Sequence, residues 1–407
     1  MPNDTKRGRR RVLAVTAAIA GSVLAASGAP QDVPQDGDVI VTLGDSITDG
    51  CTYPQIIMQA LKEAGKPVPT MVCAGVASDT AVLMLARLAK TVLVFKPKTV
   101  TFSAGTNDSL RDVKPEDYEK ALREIVRQAK AEGAAMILLT PCVISPARHG
   151  DEAARKASAA KAEAAEKVGA QYTDVIRKVA AEEGFAVAEN NALMRKARAE
   201  GKEVMSEDGI HPNYLGQSLM ARAILDAMGH KDVPLPAEFQ PPLFPGVLPE
   251  WKMRLAPLGD DKKPMALTEQ NIATLVPDAA WKTYTLPDAV PDNKPSAEDW
   301  LEQERRNGFA MQIEKLVGKG PVQAVATIDA KETRQVFLNT GIGVSTLWLN
   351  GKKIHEQGSA WTGFHAGKER IPVELKKGTN TIVCEISGQQ FFLSVTDKLI
   401  WEAEIRK

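Results

Sequence analysis

Three short polar segments carry residue types that together can transfer an acyl group. Ser46 directly follows the apolar run 39–43, and a serine acts as a nucleophile only with a base nearby. Asn107 offers a side-chain amide that can donate to a developing oxyanion. Asp208 and His211 are spaced around a glycine, so the carboxylate can accept from one imidazole nitrogen while the other takes a serine proton. The sequence therefore predicts a Ser46–His211–Asp208 triad.

The elements that would position these residues alternate along the chain. Short apolar runs predict five strands, and the longer amphipathic stretches between them predict helices. This alternation predicts an α/β fold, a parallel sheet covered by helices on both faces, with the active site at the carboxyl ends of the strands. The predicted strands are 39–43, 70–72, 99–103, 135–140 and 185–188, and the predicted helices are 53–64, 83–89, 114–132, 151–183 and 212–228.

The predicted topology places all three segments at one edge of this sheet. Ser46 follows the first strand, Asn107 follows the third, and His211 lies between the fifth strand and the last helix, with Pro212 predicted at the helix start. Each segment alone is more often an ordinary turn or helix-entry loop. Together they supply nucleophile, base, base-orienting carboxylate and oxyanion donor.

The same segments resemble a known family. Gly44–Gly50, Gly105–Asp108 and Asp208–Pro212 resemble blocks one, three and five of the SGNH (GDSL-type) hydrolases, and the resemblance covers about residues 38–229. It implies a three-layer, flavodoxin-like α/β/α fold, with no metal and no organic cofactor. By this resemblance Ser46 is the nucleophile and a backbone donor to the oxyanion, Asn107 is a second donor, His211 is the base and Asp208 orients it.

Block two departs from the family pattern. The family places a glycine where this chain has Ser78, and that glycine lends its backbone N–H to the oxyanion hole. Any residue except proline keeps an N–H, so Ser78 is expected to serve as the third donor. The local φ angle is in question, because serine is less free than glycine at positive φ.

Four segments are expected along the chain: a signal peptide at 1–29, the hydrolase domain at 36–229, a Pro-rich connector at 230–296 and a β-sandwich domain at 297–407. A basic stretch and an Ala-rich apolar run ending in small residues predict a cleaved signal and hence an exported, periplasmic or secreted protein. An uncleaved anchor is the alternative. Two arginines before the apolar run leave both Sec and twin-arginine export open.

The last segment predicts an all-β module. An Asn-Gly pair at 350–351 between two apolar runs predicts a hairpin with a type I′ turn, and the runs 371–375 and 381–386 suggest a second hairpin. This part weakly resembles the galactose-binding-like jelly-roll modules of carbohydrate-active enzymes. Trp361 and Phe364 could stack on sugar, or they could fill the sandwich core or the seam between the domains.

Composition limits the partners. The 51 basic residues equal the 51 acidic ones, so charge gives no reason to expect nucleic acid; the expected ligand is a small-molecule or polysaccharide ester. The five histidines are scattered without zinc-site spacing. Free buried thiols are favoured for the four cysteines, although a Cys51–Cys73 bridge is conceivable in an exported protein.

The expected function is that of an exported serine esterase that removes a short acyl group, acetyl, from a carbohydrate. Two alternatives remain open: a lysophospholipase or thioesterase on the same scaffold, and a glycan-binding protein whose hydrolase domain has decayed.

Overall fold

The computed structural model describes residues 34–239, 242–272, 274–285, 311–341, 343–357, 366–388, 390–401 and 404–405. The predicted signal peptide at 1–29 lies outside the described residues, as do Trp361 and Phe364.

The first half of the chain forms an α/β domain around a five-stranded parallel sheet of order β2-β1-β3-β4-β5. The strands are β1 (Val39–Gly44), β2 (Thr70–Gly75), β3 (Thr99–Ser103), β4 (Ala135–Leu139) and β5 (Ala186–Ala188). The helices are α1 (Ser46–Asp49), α2 (Thr52–Glu63), α3 (Ala81–Thr91), α4 (Thr106–Leu110), α5 (Pro115–Ala131), α6 (Glu152–Glu183), α7 (Asn190–Ala199) and α8 (Tyr214–Ala227), with a 3-10 turn at Leu93–Phe95.

An apolar core covers each face of this sheet. On one face α2, α7 and α8 pack against strand side chains such as Ile40 and Ile137. On the other face α3, α5 and α6 pack against Val41 and Phe102. Alternate residues of each strand thus enter opposite cores, which explains why the strands read as continuous apolar runs. The predicted three-layer α/β/α architecture is confirmed.

The start of the last helix was wrongly predicted. Helix α8 begins at Tyr214, and Asn213 is its N-cap, accepting a hydrogen bond from the Gly216 N–H at 3.0 Å. Pro212 instead forms a β-bridge with Met205, so it closes the loop that carries His211. The capping preference of asparagine outweighs the preference of proline for the first helical turn.

The second half of the chain forms an all-β module with two main antiparallel sheets. Their strand orders are β13-β12-β15-β10-β7-β8 and β14-β11-β17, and two short pairs, β16-β9 and β18-β6, complete the described pairings. The strands are β6 (Pro242–Leu243), β7 (Glu250–Leu255), β8 (Lys282–Thr285), β9 (Met311–Gln312), β10 (Val322–Ala330), β11 (Arg334–Thr340), β12 (Val344–Leu349), β13 (Lys352–Glu356), β14 (Glu369–Leu375), β15 (Gly378–Ile386), β16 (Gln390–Phe391), β17 (Leu393–Thr396) and β18 (Glu404–Ile405); the short helices are α9 (Glu269–Ile272) and α10 (Glu314–Val317).

One predicted hairpin is present and the other is not. Strands β12 and β13 pair around Asn350 and Gly351, whose φ angles of 51° and 82° suit the predicted turn. Strands β14 and β15 belong to different sheets. The connection between them is a corner held by the buried Asn380 side chain, which accepts from the Lys376 N–H and donates to the Lys376 carbonyl oxygen.

The predicted connector at 230–296 contains three strands of the β-module, β6, β7 and β8. Strand β7 pairs with β10 and with β8, in the larger sheet. Its sequence alternates, so that Trp251 and Met253 enter the core between the two sheets. The surrounding prolines hid this alternation in the sequence.

Three further observations bear on the chemistry. None of the four cysteines, all of which lie among the described residues, forms a disulfide bond. Within the described ranges, no group of three or more His, Cys, Asp or Glu side chains is placed to hold a metal ion. No described helix is both long enough and apolar enough to cross a membrane.

Candidate active site

Ser46, His211 and Asp208 form one hydrogen-bonded chain at the carboxyl ends of the strands. The Ser46 Oγ lies 2.9 Å from the His211 Nε2. On the other side of the ring, the Nδ1 lies 2.6 Å from the Asp208 Oδ2. The His211 and Asp208 side chains keep 17% and 28% of their exposed surface. The site is therefore partly desolvated but open to a ligand.

The loop between α7 and α8 fixes Asp208 and His211 relative to each other. The Asp208 Oδ1 accepts from the Ile210 and His211 backbone N–H groups at 2.8 and 2.9 Å, and from the Ser206 hydroxyl at 3.0 Å. Gly209 has a φ of 72°, and a Cβ there would lie 2.1 Å from the Ser145 carbonyl oxygen. Only glycine fits this close contact with the loop that follows β4.

These contacts set the ionisation of Asp208. Burial alone would raise the pKa of its carboxyl group. The hydrogen bond from His211, the charge of that ring and the two backbone N–H groups outweigh burial and hold the pKa well below its usual range. Asp208 is therefore a carboxylate across the pH range of ordinary enzyme assays.

Ser46 begins helix α1, directly after β1. The preceding residue, Asp45, caps this helix through its Oδ1, which accepts from the Ile47 N–H at 3.0 Å. The other carboxylate oxygen of Asp45 accepts from the Asn107 Nδ2 at 3.2 Å. One buried carboxylate thus ties the segment of Ser46 to the amide predicted as an oxyanion donor.

Ser78, which stands where the resembling family has a glycine, has a positive φ of 68°. It is exposed, in the turn between β2 and α3. The next residue, Asp79, is buried and forms an ion pair with the Arg87 Nε at 2.6 Å. Arg87 also donates through Nη2 to the Gly44 carbonyl oxygen at 2.9 Å. Arg87 therefore joins the turn of Ser78 to the end of β1, two residues before Ser46.

Asp108 forms a further link between these loops. Its Oδ1 accepts from the Ala81 N–H at 2.9 Å, and its Oδ2 accepts from the Gly105 N–H at 3.0 Å. The carboxylate is fully buried. It therefore ties the helix that carries Asn107 to the start of α3, the helix that follows Ser78.

Comparisons with known proteins relate the α/β domain to acyl hydrolases. Residues 42–219 match the GDSL-like lipase/acylhydrolase family. This match spans most of the α/β domain. Thioesterase 1/protease 1/lysophospholipase L1 of Escherichia coli (strain K12) is 26% identical over 190 residues, which span 45% of this chain and 80% of that protein. Esterase TesA of Pseudomonas aeruginosa is 30% identical over 130 residues, 32% of this chain and 63% of the relative.

Solved structures give a weaker likeness. The crystal structure of an acetylxylan esterase from Geobacillus stearothermophilus is 22% identical, with a TM-score of 0.40, over 49% of this chain and 97% of that one. The GDSL-like domain makes the chain an ester hydrolase, as the sequence predicted.

The structure of this GDSL-like domain brings together Ser46, His211 and Asp208, links Asn107 and the turn of Ser78 to the Ser46 segment only through other residues, and adds those linking residues. Ser46, His211 and Asp208 are in hydrogen-bonding contact, and Asn107 reaches the Ser46 segment through Asp45. Asp45 and Asp108 lie within the family motifs, but the sequence did not predict that their side chains link the loops of the site. Nothing in the sequence singled out Arg87, because its partners lie 8 and 43 residues away.

The positive φ angle of Ser78 gives one prediction. Replacing Ser78 with glycine is expected to keep kcat/KM for p-nitrophenyl acetate within about threefold, because the backbone N–H is retained. Stability should change by no more than about 0.5 kcal/mol, since relief of the positive φ offsets the larger unfolded-state entropy of glycine.

Ser78→Ala is the matched control, because it loses the hydroxyl but keeps the strained φ. Steady-state kinetics and urea unfolding of the three proteins make the comparison. A drop in kcat/KM of more than tenfold in both variants would show that the hydroxyl group, and not the backbone, is what the site uses.

Asp45 gives a second prediction, on pH. Burial is the main cause that raises the pKa of Asp45 from 3.8 to about 7. The folded state therefore holds a proton on this group between pH 4 and 7 that the unfolded state has lost, so stability falls as pH rises through this window. Three pKa units correspond to up to about 4 kcal/mol.

Asp45→Asn should abolish this part of the pH dependence. The free energy of unfolding of the wild type should fall by a few kcal/mol more than that of Asp45→Asn between pH 4.5 and 8. Circular dichroism at 222 nm is the suitable probe, because the long helices lie in the α/β domain whereas all six tryptophans lie at or beyond position 251. Asp260→Asn, at an exposed position, is the control. Parallel pH curves for all three proteins would contradict the prediction.

Proposed function

We propose that this chain is an exported serine esterase that removes an acyl group, acetyl, from a carbohydrate, with Ser46, His211 and Asp208 as its catalytic triad. The observation that carries the proposal is the continuous hydrogen-bonded chain from the Ser46 Oγ through the His211 ring to the Asp208 carboxylate. This is the geometry that an activated hydroxyl nucleophile requires.

The reaction follows in two steps. The Ser46 Oγ attacks the ester carbonyl carbon while the His211 Nε2 takes its proton, and the same proton then goes to the departing alcohol. This leaves an acyl group on Ser46. A water molecule gives a proton to His211 and attacks the acyl carbon, and the acid leaves as the serine is restored.

Asp208 and the oxyanion donors stabilise the charges that develop during the reaction. The Asp208 carboxylate holds the ring with its proton on Nδ1 and stabilises the imidazolium that forms. The backbone N–H groups of Ser46 and Ser78 and the side-chain amide of Asn107 are the proposed donors to the tetrahedral oxyanion. When the oxyanion forms, the Asn107 amide can share its two protons between Asp45 and the substrate.

The carbohydrate part of the proposal is supported by the β-module. Residues 367–370 of this module lie beside the carboxyl end of β2, the strand that leads to Ser78. A module in this position would present a bound polymer near the site, which supports the proposal. Export is supported by the basic and apolar pattern of residues 1–29 and stays a prediction, as does the acetyl preference.

A second candidate is a long-chain acylhydrolase of the lysophospholipase or thioesterase type. The named activities of the Escherichia coli relative favour it. In addition, Val82 and Leu83 at the start of α3 are 47% and 46% exposed. They follow the Ser78 turn directly, and an acyl chain could lie on them.

An acyl-chain series separates the two candidates. The kcat/KM values for p-nitrophenyl acetate, butyrate, octanoate and palmitate are measured with wild type and with Ser46→Ala, and acetate release is measured from acetylated xylan. The proposal predicts the highest kcat/KM for acetate and release of acetate from the polymer. A maximum at octanoate or palmitate, with no release from xylan, would favour the second candidate. Tight xylan binding with no turnover of any ester would favour a decayed, glycan-binding protein.

A further inference from the structure

A cavity of about 320 Å³ lies at the seam between the α/β domain and the β-module. One wall is the end of β2, which is an edge strand of the parallel sheet. A second wall is the C-terminal part of α3 with the 3-10 turn, and the third is formed by residues 367–370 and Leu399 of the module. The volume is at the lower end of the range for small-ligand sites.

The lining of this seam cavity is cationic. Arg87, Lys90, Lys368 and Arg370 line it, and Glu369 is the one carboxylate among the described lining residues. Such an imbalance of charge in a partly enclosed space attracts anions.

Two of these four cations already have partners. Arg87 is paired with Asp79 at 2.6 Å. The Arg370 guanidinium lies 3.9 Å from the Trp401 ring centre and 4.7 Å from that of Phe95. It also donates to the Gly367 and Leu399 carbonyl oxygens at 2.9 and 2.5 Å. Arg370 therefore fixes the wall of the cavity, joining the module to the α/β domain.

The two lysines are different. Among the residues that the structure describes, neither Lys90 nor Lys368 has a carboxylate within ion-pair distance. Lys90 is exposed, whereas Lys368 is partly buried. Burial is the main cause that lowers the pKa of Lys368. The charges of the Glu369, Asp49 and Asp79 carboxylates raise this pKa, but they do not outweigh burial.

A partly desolvated ammonium without a close counter-ion is costly. An anion in the cavity would offset this cost, and it would interact more strongly there than in bulk water. Lys90 would add its charge from the opposite wall, so that the anion would be approached from both domains.

We propose that the seam cavity is an anion site, in which Lys368 and Lys90 bind a carboxylate or a similar oxyanion. Two sources share this chemistry: the carboxylate of an acidic sugar in the polymer, and a free inorganic anion. The first source rests on the proposed function, whereas the anion site itself does not.

Calorimetric titration of the full chain tests the proposal. Sodium glucuronate, sodium sulfate and glucose are titrated at constant ionic strength into the wild type and into the double variant Lys90→Gln/Lys368→Gln. Lys352→Gln/Lys377→Gln, which removes two exposed lysines of the β-module, is the charge-matched control. At least one anion should bind the wild type and the control, glucose should not, and Lys90→Gln/Lys368→Gln should bind at least tenfold more weakly.

The outcomes separate the sources. Tighter binding of glucuronate than of sulfate supports the site and assigns it to an acidic sugar, and the reverse order supports it and assigns it to a free anion. Absence of binding by both anions, or equal binding by Lys90→Gln/Lys368→Gln, would overturn the proposal.

Thermal unfolding shows whether Lys90→Gln/Lys368→Gln is folded, and its midpoint should not fall, because the change removes an unpaired ammonium. None of the ligands is an ester, so a failed titration says nothing against the esterase assay. A failed esterase assay likewise leaves the anion site intact.

Discussion

Ser46→Ala is expected to lower kcat for p-nitrophenyl acetate by roughly 10⁵–10⁶-fold, the range seen when the nucleophile of a serine triad is removed. The Ser46 Oγ is the hydroxyl in contact with the His211 Nε2. Without it no acyl-enzyme forms, and the residual rate reflects only the oxyanion donors and substrate binding. The measurement is steady-state release of p-nitrophenolate at saturating substrate.

Ser345→Ala is the control for this change. Ser345 lies in the β-module and donates to the Glu385 carbonyl oxygen, so its loss should leave kcat within about twofold of the wild type. Equal rates for Ser46→Ala and Ser345→Ala would refute the role of Ser46. Circular dichroism of both variants shows whether a low rate has another cause, namely loss of fold.

Asp208→Asn is expected to lower kcat by about 10⁴-fold while leaving the fold intact. The carbonyl oxygen of the introduced amide can still accept from the Ile210 and His211 N–H groups, so the loop keeps its shape. The side-chain position that now accepts from the His211 Nδ1 at 2.6 Å would instead carry an NH₂ group that donates. The ring would be held in the wrong tautomer, and the imidazolium would lose its counter-charge.

Ser206→Ala is the matched comparison for Asp208→Asn. It removes the hydroxyl that donates to the Asp208 Oδ1 at 3.0 Å but leaves the negative charge in place. Its kcat should fall by roughly tenfold, which corresponds to about 1.5 kcal/mol for one hydrogen bond to a charged group and is far less than the loss expected for Asp208→Asn. If Ser206→Ala and Asp208→Asn lose activity equally, the loop's hydrogen-bond network is what matters, and the electrostatic role of Asp208 is wrong.

The sequence predicted the α/β domain well because its signals are local. Each strand is a continuous apolar run between helices, and a parallel sheet forces such runs to carry their functional loops at one edge. Ser46, Asn107 and His211 each lie in such a loop. Their spacing within short motifs was therefore enough to predict that they meet.

Contacts between distant segments were not predictable in this way. Arg87 lies in the middle of an amphipathic helix, and its sequence context is that of an ordinary surface arginine. Its function follows from reaching both Asp79 and the Gly44 carbonyl oxygen. Helix α7 was missed for a related reason: only a few of its residues are buried, so its apolar pattern is weak.

The β-module shows the limits of local pattern most clearly. The runs that form β14 and β15 have the spacing of a hairpin, yet Asn380 turns the chain from one sheet to the other. A hairpin and a corner between two sheets can have the same loop length and strand pattern. The side-chain contacts at the connection decide which of the two forms. Strand β7 was missed because prolines surround it in the sequence and because its partner β10 lies about 70 residues away.

The most direct test of the account is the site at which an organophosphate reacts. Diethyl p-nitrophenyl phosphate loses p-nitrophenolate when an activated serine oxygen attacks its phosphorus atom. Peptide mass spectrometry should locate the diethylphosphoryl group on Ser46 in the wild type, and His211→Ala should show little or no adduct in the same time. A phosphorylated residue elsewhere, or equal labelling of Ser46 without His211, would contradict the account.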